Sequence, residues 1–272
     1  MSNHQENNPV GLKIEGFSRN RDKDIRRLHR KTERDREGRF LAEGFHLLEE
    51  ALQGNLHPVL EIFIEETSLP RLEALAKKFP PLGHIPVYGL SSLQLARIST
   101  EETPQGVVFL CEKKKCPQES LRETPAKRLL FLEEMSDPGN LGTILRTAAW
   151  FGVAPVLLGP RSADPFNPKV LRASAGALFH MEVLEEIRAE EIREFVSREG
   201  YSVTAAVPEG GLPPKTLEKS GKTLLLLGNE SRGLSGELLD LADQRVTIPR
   251  RGRGESLNVA ISAAMLLYEL FR

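Results

Sequence analysis

The sequence predicts an α/β protein built from two domains, on three observations. Short apolar runs such as LLFLEE, YSVTAAVP and TLLLLGNE alternate with segments of helical periodicity, the pattern of mostly parallel strands covered by helices. The alternation falls into two series, separated by the polar, proline-containing stretch KKKCPQESLRETPAK. The length of 272 residues exceeds one average domain and suits two of roughly 100–170 residues.

Residues 1–18 are polar and are expected to form a disordered tail. The run Arg19–Arg39 follows, with ten Lys/Arg against five acidic residues. It reads either as a solvated, salt-bridged helix face or as a phosphate-contacting helix or arm, because arginine forks match phosphate oxygens. In FLAEGFHLLEEALQ, the spacing of Leu41, Phe45, Leu48 and Leu52 predicts a helix. The first series continues with strand VLEIFIEE, helix LPRLEALAKKF, strand IPVYGL, short helix SSLQLARIST and strand GVVFLCE. That bounds a domain over 19–112 and a linker over 113–127.

The second series, 128–272, has strands LLFLEE, APVLLG, MEVLEE, YSVTAAVP, TLLLLGNE and RVTIP. Helices are predicted at NLGTILRTAAWFG, PKVLRASAGALFH, RAEEIREFVSREG, GELLDLADQ and SLNVAISAAMLLYELFR. In the last, Leu257, Ile261, Ala264, Tyr268 and Phe271 fall on one stripe. Trp150 and Phe151 are expected in the core.

A net charge of −1 gives no global field for nucleic acid or membrane, so any such surface must be local. Cys111 and Cys116 are the only cysteines and read as reduced thiols, without the company of a zinc site. No apolar run approaches the ~18 residues of a membrane span. The polar N-terminus has no apolar core of a secretory signal, and the cytoplasm is the expected compartment. No metal site is expected.

Ligands of doubly wound sheets sit outside the carboxyl ends of strands. Three strand ends carry polar, glycine-bearing loops: SDPGNLGTILRTAAWFG, GNESRGLS and PRRGRGESLNVAIS. GNESRGLS has the glycine spacing of a phosphate-binding Walker loop, but Leu234 stands where the lysine is required. DPGNLG lacks the dinucleotide fingerprint, and Ser256 has no nearby histidine in sequence.

A different pattern fits. DPGNLGTILRTAAWFGV, with Asn140, Gly142 and Arg146, resembles motif 1 of the SpoU (TrmH-like) RNA 2′-O-ribose methyltransferases of the SPOUT superfamily. LLLGNESRGLS resembles motif 2, with Gly228 and Glu230, and VTIPRRGRGESLNVAISAAMLLYE resembles motif 3, with Ile248, Pro249, Gly252, Ser256, Leu257 and Asn258. The three occur in family order over 129–272. Residues 25–112 are similar to the L30e-like RNA-binding domain that precedes the catalytic domain in rRNA-modifying members. The resemblance implies an N-terminal L30e-like α/β domain followed by a C-terminal SPOUT α/β domain tied in a trefoil knot. It also implies S-adenosylmethionine as cofactor, a homodimer, and RNA as substrate. A separate N-terminal domain favours ribosomal over transfer RNA. A silent RNA-binding or ribosome-assembly factor on the same fold, and a base methyltransferase, are the competing readings.

On this resemblance Gly228, Asn229, Ile248, Pro249 and Leu257 hold the cofactor. Arg146, Asn140, Glu230, Ser256 and Asn258 form the catalytic set, with Arg146 on the target phosphate and ribose hydroxyl and Asn140 and Glu230 orienting it. Two alternatives stay open: Glu230 as a capping carboxylate for the helix near SRGLSGELL, and Ser256 and Asn258 as N-cap residues. Arg30, Lys31, Arg39, Arg250, Arg251 and Arg253 are the expected RNA contacts.

Overall fold

The computed structural model describes residues 12–271 except 55, 115, 117–120, 122–125, 218–220 and 255. The chain divides into two compact units, Met1–Lys115 and Cys116–Arg272.

The first unit is a five-stranded mixed sheet of β1 (Ile14–Gly16), β2 (Arg39–Glu43), β3 (Val59–Glu65), β4 (Val87–Leu90) and β5 (Val107–Glu112), ordered β1-β4-β3-β5-β2. Its helices are α1 (Arg19–Arg27), α2 (Lys31–Glu37), α3 (Phe45–Gln53), α4 (Leu69–Lys78) and α5 (Ser92–Ile98). Ile25, Leu28, Leu95 and Ile98 from α1, its C-cap and α5 pack on Phe63, Leu90, Val108 and Leu110 of the sheet.

Three sequence expectations change here. Of the expected tail, 1–11 lie outside the described residues, whereas Ile14–Gly16 pairs in parallel with Val87–Gly89. The helix expected from Phe40 onward is a strand followed by a helix: Arg39–Glu43 pairs antiparallel with Val108–Glu112, and Gly44, at φ +99°, turns the chain into α3. Only glycine takes that conformation without strain, so the i, i+4 spacing of Leu41 and Phe45 spans a junction. Within the charged run, Arg34 is a buried structural arginine whose Nη1 donates to the carbonyls of Leu28 (2.8 Å) and His29 (2.9 Å).

The second unit is a parallel six-stranded sheet of β6 (Arg128–Leu132), β7 (Val156–Leu158), β8 (Val183–Leu184), β9 (Ser202–Ala206), β10 (Thr223–Leu227) and β11 (Gln244–Val246), ordered β11-β9-β10-β6-β7-β8. Leu227 of β10 is in register with Leu132 of β6, so the loops that follow these two strands lie side by side. The helices are α6 (Pro138–Trp150), α7 (Pro168–Ala173), α8 (Ala189–Glu199), α9 (Gly236–Leu239) and α10 (Val259–Phe271). Helix α6 packs on α7 and α10. Leu121, within the stretch read as linker, is buried in this unit's core beside Leu129, Val203 and Leu224.

Helix α10 is apolar nearly all round. It buries Ala260, Ala263, Leu266, Leu267 and Phe271, while Ile261 and Tyr268 of the noted stripe face outward. Trp150, expected in the core, is 85% exposed at the end of α6. Phe151 is half-buried and meets the Tyr268 ring edge-on at 6.2 Å. Periodicity cannot choose a buried face on a helix that is apolar on several sides.

Candidate active site

Each of the three loops leaves a strand at the same end of the second sheet. In the first, Asp137 caps α6 by accepting from Asn140 N at 2.7 Å, and Pro138 opens the helix. A proline at the first helical position gives up only an amide that had no partner anyway. The cap fixes Asn140 at the mouth of the helix, directly after β6.

The second loop, Gly228–Ser235, folds back on itself. Asn229 N donates to Gly233 O at 3.1 Å and Gly233 N to Asn229 O at 2.9 Å. The Asn229 side chain accepts from Ser231 N and donates to Glu134 O, at 2.9 and 3.0 Å. Gly228 lies under this turn: a Cβ there would stand 2.2–2.4 Å from Gly233 and Leu234 backbone atoms, so glycine is required by the loop's own closure. Gly142 is likewise a packing residue, since its Cβ would meet Ala173 Cβ at 2.5 Å and Val170 O at 2.7 Å across the α6–α7 contact.

Along the third, Asn258 caps α10: its Oδ1 accepts from Ala260 N at 2.9 Å and Ile261 N at 3.3 Å. That leaves Nδ2 as the outward donor, and it reaches Asn140 Oδ1 at 3.0 Å. Asn140 Nδ2 in turn donates to Glu230 Oε1. The chain Asn258–Asn140–Glu230 therefore joins the three loops, and the capping bonds dictate which way each amide points. Ser235 is the N-cap residue of α9, and the carboxylate that holds it is Glu133, which accepts from Ser235 N at 2.7 Å, rather than Glu230. Asn258 is both a cap and a bridge.

Arg146 stands apart from this chain. Six residues beyond Asn140, it lies about 9 Å further along the helix axis and on another stripe. It is exposed and makes no hydrogen bond or ion pair with the described residues. Asn140 and Glu230, expected to orient it, bond to each other instead. Ser256 is exposed near Asn258. Ile248 is half-buried, Pro249 exposed and Leu257 49% exposed. The main-chain amides of Gly228, Ile248 and Leu257 make no hydrogen bond with the described residues. Free amides beside exposed apolar side chains suit a ligand with a flat, partly apolar ring and polar edges. Arg250, Arg251 and Arg253 are exposed, and Arg250 Nη1 donates to Gly254 O at 3.1 Å. In the first unit Arg30, Lys31 and Arg39 are exposed. Lys31 is paired with Asp35 at 2.7 Å.

The supports missed in sequence are Glu133, Glu134 and Asp137. Their acidity and position after a strand are visible, but the partners of Glu133 and Glu134 come from a loop about a hundred residues away, whereas Asp137 caps its own helix. Among the described residues no cluster could hold a metal ion, and no helix is long and apolar enough to cross a membrane.

Comparison with known proteins follows this division. The SpoU rRNA Methylase family model matches residues 127–268. The chain belongs to the SpoU rRNA methylase family. A second model, the MRM3-like substrate binding domain, matches residues 20–108. Among relatives, 23S rRNA (guanosine(2553)-2'-O)-methyltransferase RlmP of Bacillus subtilis is 36% identical over 259 residues, 94% of this chain and 98% of that protein. An AdoMet-bound rRNA methyltransferase from Sinorhizobium meliloti superposes with a TM-score of 0.81 at 29% identity, covering 96% of this chain and 97% of the other. A putative RNA methyltransferase of the TrmH family from Porphyromonas gingivalis gives 0.79 at 33% identity, covering 94% and 98%. The SpoU family match spans all three loops.

Proposed function

We propose that this protein is an S-adenosylmethionine-dependent methyltransferase acting on the ribose 2′-hydroxyl of large-subunit ribosomal RNA. The observation that carries the reading is the Asn258–Asn140–Glu230 chain, which assembles three family loops at one sheet end. The relatives' names, RlmP among them, supply the reaction class.

S-adenosylmethionine, when bound, supplies an electrophilic methyl group on a sulfonium centre. Gly228, Asn229, Ile248, Pro249 and Leu257 form its pocket: the free amides of the two strand-end loops meet its polar edges, and the exposed Leu257 covers its ring. The asparagine–glutamate chain keeps the loops at a fixed separation, so the hydroxyl oxygen can approach the methyl in line. Such placement contributes much of the rate. Arg146, exposed and unpaired by the described residues, binds the target phosphate and polarises the 2′-hydroxyl. A guanidinium stays protonated, so the hydroxyl proton leaves to solvent or to an RNA phosphate. Ser256 borders the ribose. Arg250, Arg251 and Arg253 hold flanking phosphates, and the first unit, with Arg30, Lys31 and Arg39, also grips RNA.

The protein is a homodimer in this reading. Exposed Trp150, Ile261, Met265 and Tyr268 on α6 and α10 form an apolar surface that a second copy would cover. The segment entering α10 runs through a trefoil knot. The domains follow the two compact units, which divide between Lys115 and Cys116, and the compartment is the cytoplasm.

The test is transfer of labelled methyl from S-adenosylmethionine to in vitro transcribed 23S rRNA. Wild-type protein labels it, whereas Arg146→Ala binds cofactor within a few fold of wild type and transfers nothing. Near-normal turnover by that variant would remove Arg146 from the mechanism. No transfer by the wild type to any ribosomal RNA would remove the reading.

A further inference from the structure

The two ends of the first sheet differ in charge. The end formed by the last residues of β2, β3 and β4 carries Glu43, Glu65, Glu66, Glu101 and Glu102. Glu43 is buried there, accepting from Ser99 Oγ at 2.7–2.8 Å and Gln105 N at 3.2 Å. The opposite end, where β2 begins and β5 finishes, holds a cleft of about 640 Å³ lined by Glu37, Gly38, Arg39, Leu60, Glu112, Lys113 and Lys114. The lysines belong to the KKK stretch read from sequence as a mere connection.

The acidic wall of this cleft is partly neutralised and the basic wall is held in place. Glu37 is occupied by Arg36 at 3.1 Å. Asp35, behind the cleft, bonds both Lys31 and Lys113 at 2.7 Å. Lys113 N donates to Gly38 O at 2.7 Å, and Lys114 N donates to His57 Nδ1 at 3.2 Å. His57 is buried and held neutral, its pKa pushed down to about 4 chiefly by burial and further by Lys113 and Lys114, so its lone pair stays available to that amide. Arg39 and Lys114 are exposed and make no side-chain bond with the described residues. Half-buried Leu60, on the β3 side, adds an apolar contact to the same cleft.

We infer that this cleft is the first unit's RNA-backbone site, with Arg39 and Lys114 each contacting a phosphate and Leu60, at the side of the cleft, meeting a base or sugar. The site rests on the proposed RNA-methyltransferase function and locates the first unit's RNA grip at the start of β2 and end of β5. The hydrogen-bonded backbone fixes where the two side chains start, so binding orders the side chains alone, and the acidic opposite end repels the same polyanion.

The test measures binding of full-length protein to in vitro transcribed 23S rRNA across a salt series. Arg39→Gln/Lys114→Gln is expected to weaken binding by roughly tenfold and to lower the log–log salt slope by about 1.4–1.8, the release expected for two phosphate contacts. Cofactor affinity should stay at the wild-type value, which also verifies folding. Arg71→Gln, a cation at the acidic end stacked 4.2 Å over Phe45, should leave the slope unchanged. An unchanged slope in the double variant, with wild type binding and methylating RNA, overturns the cleft and leaves the function standing. An equal loss in Arg71→Gln also overturns it, and a wild type that binds no RNA overturns both.

Discussion

Replacing Asn140 by Asp changes one atom of the bridge between the three loops. The acceptor for Asn258 Nδ2 remains, but the donor to Glu230 becomes a second carboxylate oxygen facing the first. The lost hydrogen bond costs about 1 kcal/mol at a site this open to water. Two unit charges about 4 Å apart add ~1 kcal/mol in water and ~4 kcal/mol at an effective dielectric of 20. Glu230 is exposed and Asn140 half-buried, so the lower part of that range applies. The sum is about 2–3 kcal/mol, or roughly 30- to 150-fold in kcat/KM if loop spacing is set by this bridge. Asn140→Ala loses both hydrogen bonds but gains no repulsion, and at about 1 kcal/mol each should cost about 30-fold, the lower end of the Asp range. Methyl transfer assayed from pH 8 down to pH 5 separates the two. The Asp variant is the weaker at pH 8, and the gap narrows on acidification toward the ordinary carboxylate range of about 4. Equal rates for the two variants at every pH, or wild-type rates for either, would refute the bridge as the element that sets the loops.

Gly142→Ala forces a Cβ against Ala173 and Val170 and should destabilise the second unit by about 1–3 kcal/mol, read from urea denaturation. Gly228→Ala collides with backbone that cannot yield, so calorimetry should show cofactor binding largely lost. Trp150→Glu with Tyr268→Glu places charge on the exposed apolar face, and sedimentation should then report monomers, against the dimer proposed for the wild type. His57, with a pKa lowered to about 4 from 6.5, binds its proton less readily folded than unfolded. Its contribution is therefore complete above about pH 6.5 and is lost as pH falls through 4. The loss is about 3 kcal/mol at most, and hydrogen exchange at β2 and β5 should show it in wild type but not in His57→Gln.

Much of this was legible in sequence because the determinants were local. All six strands of the second sheet stood out as short apolar runs, and the three glycine-bearing loops were visible at their ends. The Arg39–Glu43 strand was hidden because Leu41 and Phe45 mimic helical spacing across the turn at Gly44. Trp150 was misassigned to the core because residue type alone says nothing about which end of a helix is covered. The Glu133–Ser235 bond depends on the register between β6 and β10, and the Asn258–Asn140 bond on the packing of α10 against α6, neither of which any window of sequence contains. Gly142 and Gly228 were noted as motif positions, but the reason glycine is needed, a backbone or helix pressed within 3 Å, appears only in the packed structure.

The measurement closest to the central claim compares 23S rRNA from a strain lacking this gene with the same RNA after incubation with the purified protein and S-adenosylmethionine. Nucleoside mass spectrometry and 2′-O-methyl mapping are expected to show one ribose methyl restored by the wild type and not by Arg146→Ala. Methyl found on a base, or no change in any ribosomal nucleotide, would contradict the account.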